Sequence, residues 1–212
     1  MMMDGTRPGP RAILFDLGGV LIDWNPRHLY RSLFADEAEM ERFLAEVVDA
    51  RWNQAIDAGR PFAEAIRERQ AQVPEYSEFI GMWHSRWKDM LNGEIPGTVA
   101  ILRELKELGR PLYALSNWSA ETFPVARERF EFLSWFKRIV VSGEVGLAKP
   151  DPAIFELAAR QCGLVPGRTV FIDDVQANIE VALGLGYDAV RFTGAGALRQ
   201  ALAERGLLPG AR

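Results

Sequence analysis

Polar side chains that could do chemistry follow three short apolar runs of this 212-residue chain, and a lysine stands in a loop between the second and third. Together they offer three carboxylates, one hydroxyl, one amide and one ammonium group. Acids held close together repel one another unless a cation lies between them. Oxygen ligands from a few carboxylates, with positions left open for an anion such as phosphate, suit Mg²⁺. The residues concerned are Asp16, Ser116, Asn117, Lys149, Asp173 and Asp174.

The first apolar run organises the rest of the chain. Ala12–Phe15 predicts a buried parallel strand that ends at Asp16. Gly18 and Gly19 then allow a sharp turn and a close approach of a ligand to the backbone. Open α/β sheets place their binding crevices at the carboxyl ends of strands, which makes Asp16 a candidate site residue. An aspartate that only caps the following turn is the alternative interpretation at this point.

Strands alternate with helices from Gly97 onward. Alternation of this kind predicts a parallel sheet with helices on both faces. Because the carboxyl ends of parallel strands lie along one edge of a sheet, we expect the polar side chains to meet there. The further predicted strands are Pro111–Leu115, Arg138–Val141, Thr169–Ile172 and Ala189–Phe192.

A helical insert separates the first predicted strand from the second. Apolar residues recur in it at three- and four-residue spacing, and no part of it predicts a strand. Asn92–Pro96 is interpreted as a polar linker, with a candidate hinge, that returns the chain to the sheet. We therefore predict an α/β core domain of residues 11–23 and 93–212 and a helical-bundle cap domain of residues 24–92.

The composition is that of an ordinary soluble globular protein. Apolar residues make up 48% and charged residues 25%, and the net charge of −4 gives no support for nucleic-acid or basic membrane binding. The single Cys162 fits a reducing compartment. No apolar run approaches a membrane span of ~20 residues, and residues 1–10 lack the features of a secretory signal. We expect a cytoplasmic protein with a small-molecule partner, either a monomer or a homodimer.

The four polar segments resemble the four motifs of the haloacid-dehalogenase-like (HAD) superfamily of hydrolases, in that family's order and spacing. The helical insert is similar to the type-1 cap of the family. The first motif, Asp16-Leu17-Gly18, is similar to that of the sugar-phosphate phosphatases of the glucose-1-phosphatase type. The resemblance implies a Rossmann-like parallel sheet with strand order 5-4-1-2-3. It also implies Mg²⁺-dependent hydrolysis of a small phosphorylated metabolite, with sugar phosphates among the candidates.

The resemblance also implies roles for single residues. Asp16 would be the nucleophile that takes the phosphoryl group, with Ser116 and Lys149 as further catalytic residues. The substrate or phosphate would contact Ser116, Asn117, Lys149, Trp24 and Trp118. Mg²⁺ would be held by Asp16, Asp174 and the carbonyl of Gly18, with Asp173 as a further ligand or as an acid behind the ligands. Trp24 is equally compatible with packing at the start of the insert, and Trp83 and Trp87 are expected in the cap core.

The chain departs from the family pattern at one position. Phosphatases of the family carry a second aspartate, the general acid and base, where this chain has Gly18. Such help is typically worth ~10²–10⁴-fold in rate. The chain could prefer good leaving groups, use a water, be slow, or take an acid from elsewhere, of which Asp23 is nearest by sequence. An aspartate placed at Gly18 is expected to risk strain, because glycine can hold backbone angles that aspartate tolerates poorly.

Two alternatives stay open. A 2-haloacid dehalogenase would use Asp16 to attack carbon without a metal, and such relatives also lack the second aspartate. They usually carry a Ser-Ser-Asn fourth motif and a tyrosine, where this chain has Asp173-Asp174 and Phe155. Uncompensated acids beside Asp16 would blunt it as a nucleophile. A noncatalytic binding module is the other alternative, and a pure scaffold would have no need of the retained polar residues.

Overall fold

The computed structural model describes residues 11–209, so the N-terminal segment 1–10 and the prediction about a secretory signal lie outside the described residues. Five parallel strands form the main sheet in the order β5-β4-β1-β6-β7. When these five are numbered along the chain within the sheet alone, the order read from the β7 edge is 5-4-1-2-3, as predicted. The strands of the protein are β1 Ala12–Phe15, β2 Ile22–Trp24, β3 Leu91–Glu94, β4 Leu112–Ser116, β5 Arg138–Val141, β6 Thr169–Asp173 and β7 Asp188–Arg191.

The register of the central strands aligns their carboxyl ends at the same edge of the sheet. Phe15 of β1 is paired with Ala114 of β4 on one side and with Ile172 of β6 on the other. The backbone N–H of Asp16 donates to the carbonyl of Ile172 at 2.8 Å. The residues that follow these strands therefore emerge side by side at one edge of the sheet.

Helices cover both faces of the sheet. Successive β1 side chains belong to two different hydrophobic clusters, Ile13 and Phe15 to one and Leu14 to the other, because side chains alternate between the faces of a strand. Such strands are apolar throughout since both of their faces are buried. The helices after β3 are α6 Pro96–Glu107, α7 Phe123–Arg129, α8 Ser142–Val145, α9 Pro152–Cys162, α10 Gln176–Gly184 and α11 Ala195–Glu204.

The segment between β2 and β3 is helical, as the periodicity predicts. Aspartates cap two of its helices: Asp36 accepts a hydrogen bond from the N–H of Ala38, and Asp49 accepts one from Trp52. Its helices are α1 Arg27–Tyr30, α2 Glu37–Arg42, a π-helical turn at Phe43–Val47, α3 Ala50–Asp57, α4 Phe62–Gln72 and α5 Ser77–Ser85. Within residues 11–209, no helix has both the length and the apolar character needed to cross a membrane. The division into a core and a cap domain stays a prediction.

The two ends of the insert form a short antiparallel pair that the sequence pattern misses. Ile22 of β2 pairs with Glu94 of β3, so the interpretation of Asn92–Pro96 as a linker is wrong for its first residues. Each strand has only three or four residues, and β3 contains polar side chains and a glycine. Such segments pair because the fold brings the two ends of the insert together, which local periodicity does not reveal.

Candidate active site

Three carboxylates and one ammonium group meet at the carboxyl edge of the sheet. Oxygens of Asp16, Asp173 and Asp174 all lie within 4.8 Å of one another. The Nζ of Lys149 lies 2.9 Å from Oδ1 of Asp16 and 2.6 Å from Oδ2 of Asp173. Lys149 is 1% exposed, and Asp16 is 8% exposed. The expected convergence of these polar residues is therefore observed.

Asp173 is the most enclosed of the three acids. It is fully buried, and its Oδ1 accepts hydrogen bonds from the backbone N–H of Val175 at 2.8 Å and from Nδ2 of Asn178 at 2.9 Å. Its Oδ2 accepts from Lys149 and, at 3.0 Å, again from Asn178. These bonds hold Asp173 as the anchor of Lys149, which fits an acid that stands behind the metal ligands.

Electrostatics at this edge favour an additional cation. Burial raises the pKa of Asp16 to about 7, and Asp173 and Asp174 add to the rise against the opposing effect of Lys149. Burial, followed by the neighbouring Asp173, also raises the pKa of Asp174. Burial alone would lower the pKa of Lys149, but Asp16 and Asp173 together raise it, so Lys149 keeps its charge. Acids outnumber cations, and the oxygen-only donor set suits Mg²⁺.

Ser116 is the last residue of β4 and Asn117 follows it beside this cluster, and the two side chains differ in what they bind. The hydroxyl of Ser116 is buried and has no hydrogen-bond partner within the described chain. The side chain of Asn117 donates to the carbonyl of Lys149 at 2.8 Å and accepts from its N–H at 2.8 Å. The amide of Asn117 therefore positions the Lys149 loop, whereas the Ser116 hydroxyl keeps its hydrogen-bonding capacity unused within the described chain.

Gly18 and Gly19 differ in backbone conformation and in the space around them. Gly18 lacks a positive φ, and a Cβ added there would meet nothing within 4 Å. The expected strain at Gly18 is therefore wrong. Gly19 has a φ of 71°, and an added Cβ would collide with the carboxylate of Asp174. The sharp turn and the close approach both fall on Gly19.

A cavity of about 630 Å³ separates the strand ends from helices α2 and α3. A smaller cavity of about 70 Å³ adjoins Gly18. Of the predicted tryptophans, Trp24 borders both cavities, and Trp118 borders the smaller one. Trp83 and Trp87 are buried as expected, yet each also lines a cavity.

Residues of α3 also line this site, and no sequence motif predicts them. Asn53 and Asp57 border both cavities, and Gln54 donates to the carbonyl of Lys149 at 3.1 Å. The four-residue spacing of Asn53 and Asp57 places them on one helix face. That spacing does not say which way the face points, so sequence reasoning missed them.

An α/β sheet with an aspartate, a lysine and an acidic pair at its carboxyl edge defines a hydrolase-type site. Residues 10–186 match the family model for haloacid dehalogenase-like hydrolases. The chain belongs to this family. A glyceraldehyde 3-phosphate phosphatase from Methanopyrus kandleri is 33% identical over 191 residues, which cover 77% of this chain and 75% of that protein.

Solved structures show the same fold. A HAD family enzyme from Bacteroides thetaiotaomicron superposes with a TM-score of 0.69 at 24% identity, covering 92% of this chain and 98% of that one. The same enzyme was also crystallised with magnesium and inorganic phosphate. An L-2-haloacid dehalogenase superposes with a TM-score of 0.62 at 21% identity, covering 88% and 87% of the two chains. At these identities the structural similarity establishes the fold alone. The reaction has to be inferred from the residues of the site.

Proposed function

We propose that this protein is a Mg²⁺-dependent phosphatase that hydrolyses a small phosphorylated metabolite through an aspartyl-phosphate on Asp16. The observation that carries the proposal is the buried Lys149, which contacts both Asp16 and Asp173 while Asp174 lies within 4.8 Å of these acids. Three acids beside one lysine form a site that needs a divalent cation before it can accept an anionic phosphate. The phosphatase relative supports the same reaction class.

Asp16 is oriented for nucleophilic attack by one of its two oxygens. Its Oδ1 accepts a hydrogen bond from the N–H of Leu17 at 2.7 Å and contacts Lys149. Its Oδ2 has no such donor within the described chain, so Oδ2 is the oxygen that attacks phosphorus. Lys149 would neutralise charge on the transferring phosphoryl group, and the free hydroxyl of Ser116 would donate to one of its oxygens.

The metal would be held by Asp16, Asp174 and the carbonyl of Gly18. Bound Mg²⁺ would supply positive charge that draws electron density from the phosphoryl oxygens. The fit rests on the hard oxygen ligands and on the surplus of acids. Asp173 stays outside this set because its oxygens already accept from Lys149, Asn178 and Val175.

The site gives weaker support to a dehalogenase. Such an enzyme attacks an anionic 2-halo acid without a metal, and here the nucleophile would stand among surplus carboxylates. Phe155, at the position of the family's tyrosine, is fully buried and packs against Phe171. It therefore offers no hydroxyl to a substrate. A noncatalytic module gains nothing from a buried lysine with two acidic partners, because burying charges is costly.

The large cavity is the proposed substrate site. Its volume of about 630 Å³ lies within the range of small-molecule pockets. Trp24 and Lys149, two of the residues predicted to contact the substrate, line this cavity, which supports the proposal. A sugar phosphate remains one candidate substrate. The monomer or homodimer state, the cytoplasmic location and the absence of nucleic-acid or membrane partners stay predictions.

The test is phosphate release from a panel of phosphorylated metabolites, with Mg²⁺ or with EDTA. We expect turnover that requires Mg²⁺ and that falls below detection in Asp16→Asn. Asp36→Asn is the matched control, since Asp36 is an exposed helix cap and asparagine caps equally well. Activity that resists EDTA, or chloride release from 2-chloropropionate, would favour the dehalogenase instead.

A further inference from the structure

The position that lacks a general acid faces a carboxyl group from the helical insert. Asp57, the last residue of α3, lines the small cavity together with Gly18. Trp24, Trp118 and Asn117 line the same cavity. Gly18 follows the nucleophile Asp16 by two residues, so this cavity adjoins the segment that carries the nucleophile.

Two hydrogen bonds fix the carboxyl group of Asp57. The backbone N–H of Ser119 donates to it, and so does Nδ2 of Asn53 at 2.9 Å. Ser119 lies three residues after Ser116, on the loop that leaves β4. The side chain of Asp57 is therefore held by the loop that directly follows the proposed phosphate ligand, Ser116.

The main chain of Asp57 is anchored to the same place. Its carbonyl accepts from the hydroxyl of Ser142 at 2.5 Å, and that hydroxyl accepts from the N–H of Trp118 at 2.8 Å. Gly143 allows this close packing, since an added Cβ would lie 2.5 Å from the nitrogen of Ala120. The end of α3 is thus fixed relative to the strand edge by bonds on both of its sides.

The surroundings of Asp57 favour a carboxyl group that carries a proton near neutral pH. Burial raises its pKa to about 7, against the lowering effect of the bonds from Ser119 and Asn53. No ion pair involves Asp57 within residues 11–209. The charged side chains around the shared large cavity are Arg27, Glu41, Arg51 and Lys149, of which Arg27 is bonded to Glu41 and Lys149 to Asp16 and Asp173.

Asp23, the acid nearest to Gly18 in the sequence, has a lowered pKa, whereas the pKa of Asp57 is raised. Its carboxylate accepts from Nδ2 of Asn92 at 2.8 Å and lies 3.1 Å from Nε2 of His28. Although burial raises its pKa, these bonds hold the net value below the ordinary one. Asp23 therefore stays ionised and borders neither cavity.

We propose that Asp57 is the general acid of this phosphatase, in place of the aspartate that the family carries at position 18. The proposal rests on the phosphatase function. As Oδ2 of Asp16 forms its bond to phosphorus, the bond from phosphorus to the leaving oxygen breaks, and Asp57 gives its proton to that oxygen, which releases an alcohol. Water then attacks phosphorus, the bond from phosphorus to Oδ2 of Asp16 breaks, and the carboxylate of Asp57 takes one proton from the water. Inorganic phosphate leaves, and both aspartates return to their starting states.

The decisive experiment compares kcat/KM for alkyl phosphates and for 4-nitrophenyl phosphate in wild type and Asp57→Asn. An alkoxide needs a proton as it leaves, whereas 4-nitrophenolate does not. We expect Asp57→Asn to lower kcat/KM for alkyl phosphates by about 10²–10⁴-fold, and for 4-nitrophenyl phosphate by less than about tenfold. The dependence of rate on leaving-group pKa therefore steepens, which a merely structural role would not produce.

Asp23→Asn is the matched control and is expected to leave the leaving-group dependence at its wild-type slope. A steeper slope in Asp23→Asn, with no change in Asp57→Asn, would assign the role to Asp23 and overturn the proposal. An equal loss on both ester classes in Asp57→Asn would also overturn it, since that pattern indicates displaced structure.

A second variant keeps the inference testable if asparagine disturbs the loop. Gly18→Asp, placed in the Asp57→Asn background, puts a carboxyl group at the family position, where an added Cβ meets no atom within 4 Å. We expect it to restore alkyl ester hydrolysis by at least about tenfold. Failure of the wild type on both ester classes would refute the proposed function and the inference together. Wild-type turnover without a selective Asp57→Asn defect would refute only the inference.

Discussion

The strand-end cluster and the cavity wall differ in how their polar groups are satisfied. At the strand ends, Lys149 and Asp173 are buried and fully engaged with one another and with their neighbours. Along the cavities, the indole N–H groups of Trp24, Trp83 and Trp118 are buried without a hydrogen-bond partner among the described residues. An unpaired buried donor costs about 1–3 kcal/mol. The ion pairs of the strand ends are therefore formed before a ligand arrives, with the Ser116 hydroxyl left unpaired, whereas the cavity wall contains three indole donors without a partner among the described residues.

The difference separates fixed chemistry from adaptable recognition. Phosphoryl transfer needs charges held at set positions, so the core supplies them from strand ends that the sheet locks together. Recognition of the rest of a substrate needs shape and a few donors, which an inserted helical segment can vary without moving the strands. Asp57 belongs to both regions, since it lies on α3 and is bonded to the loop after β4.

Removal of Lys149 should give the largest effect. In Lys149→Met, the acids of the strand-end cluster lose their common partner, and breaking a buried ion pair costs about 3–5 kcal/mol. We expect the free energy of unfolding, measured by urea denaturation without Mg²⁺, to fall by that amount. We also expect turnover to fall by about 10²–10³-fold.

Lys137→Met is the control for this comparison, because Lys137 is exposed and its side chain belongs to neither region. Its free energy of unfolding should stay within about 0.5 kcal/mol of the wild-type value. A Lys149→Met protein as stable as the wild type would mean that the ion pairs of Lys149 do not stabilise the strand-end cluster. The contrast between the two regions would then fail.

The glycine pair gives an intermediate effect. Gly19→Ala forces a side chain into a left-handed backbone and against the carboxylate of Asp174, which should cost about 1–2 kcal/mol. We expect weaker Mg²⁺ binding by titration calorimetry, since Asp174 has to move. Gly18→Ala has neither problem and should be as stable as the wild type. Equal stability losses in the two variants would contradict the assignment of the turn to Gly19.

The smallest effect is a pH dependence of stability. The pKa of Asp57 in the folded state, about 7, lies above its ordinary value of 3.8, so the folded protein binds this proton more tightly. The stability that this adds is present in acid and is lost as the pH rises from about 4 to 7. In Asp57→Asn, thermal melts over this range should show a smaller decline than in the wild type.

Asp188→Asn is expected to change the pH dependence of stability in the direction opposite to that of Asp57→Asn. Although burial raises its pKa, the hydrogen bonds and charges of Arg205 and Arg11 hold the net value below the ordinary one. Its contribution to stability is present above the ordinary pKa and is lost as the pH falls. Asp188→Asn should therefore lose stability at neutral pH and little in acid. Parallel curves for the two variants would show that Asp57 carries no raised pKa.

The sequence by itself determined the sheet and the identity of the strand-end residues. Strands β1, β4 and β6 are short apolar runs that end at or just before a polar residue, and α9 spans Pro152–Cys162, with an aspartate capping its start and Gly163 following its end. These signals act within a few residues of the chain. The meeting of Asp16 with Asp173 then follows from the general geometry of parallel sheets, whereas the strand order was implied by the family resemblance.

Only the tertiary structure decided the pairing of β2 with β3, the clamp of Asn117 on Lys149 and the placement of Asp57 beside Gly18. Each joins segments that are tens of residues apart. Local propensity fixes that α3 is a helix and that Asn53 and Asp57 share a face, but many orientations of that helix satisfy the same periodicity. The orientation is chosen by packing and hydrogen bonding of the assembled chain, in which Ser142 and Ser119 meet the end of α3. The strand-end residues therefore follow from sequence, while the acid that faces them is set by the fold.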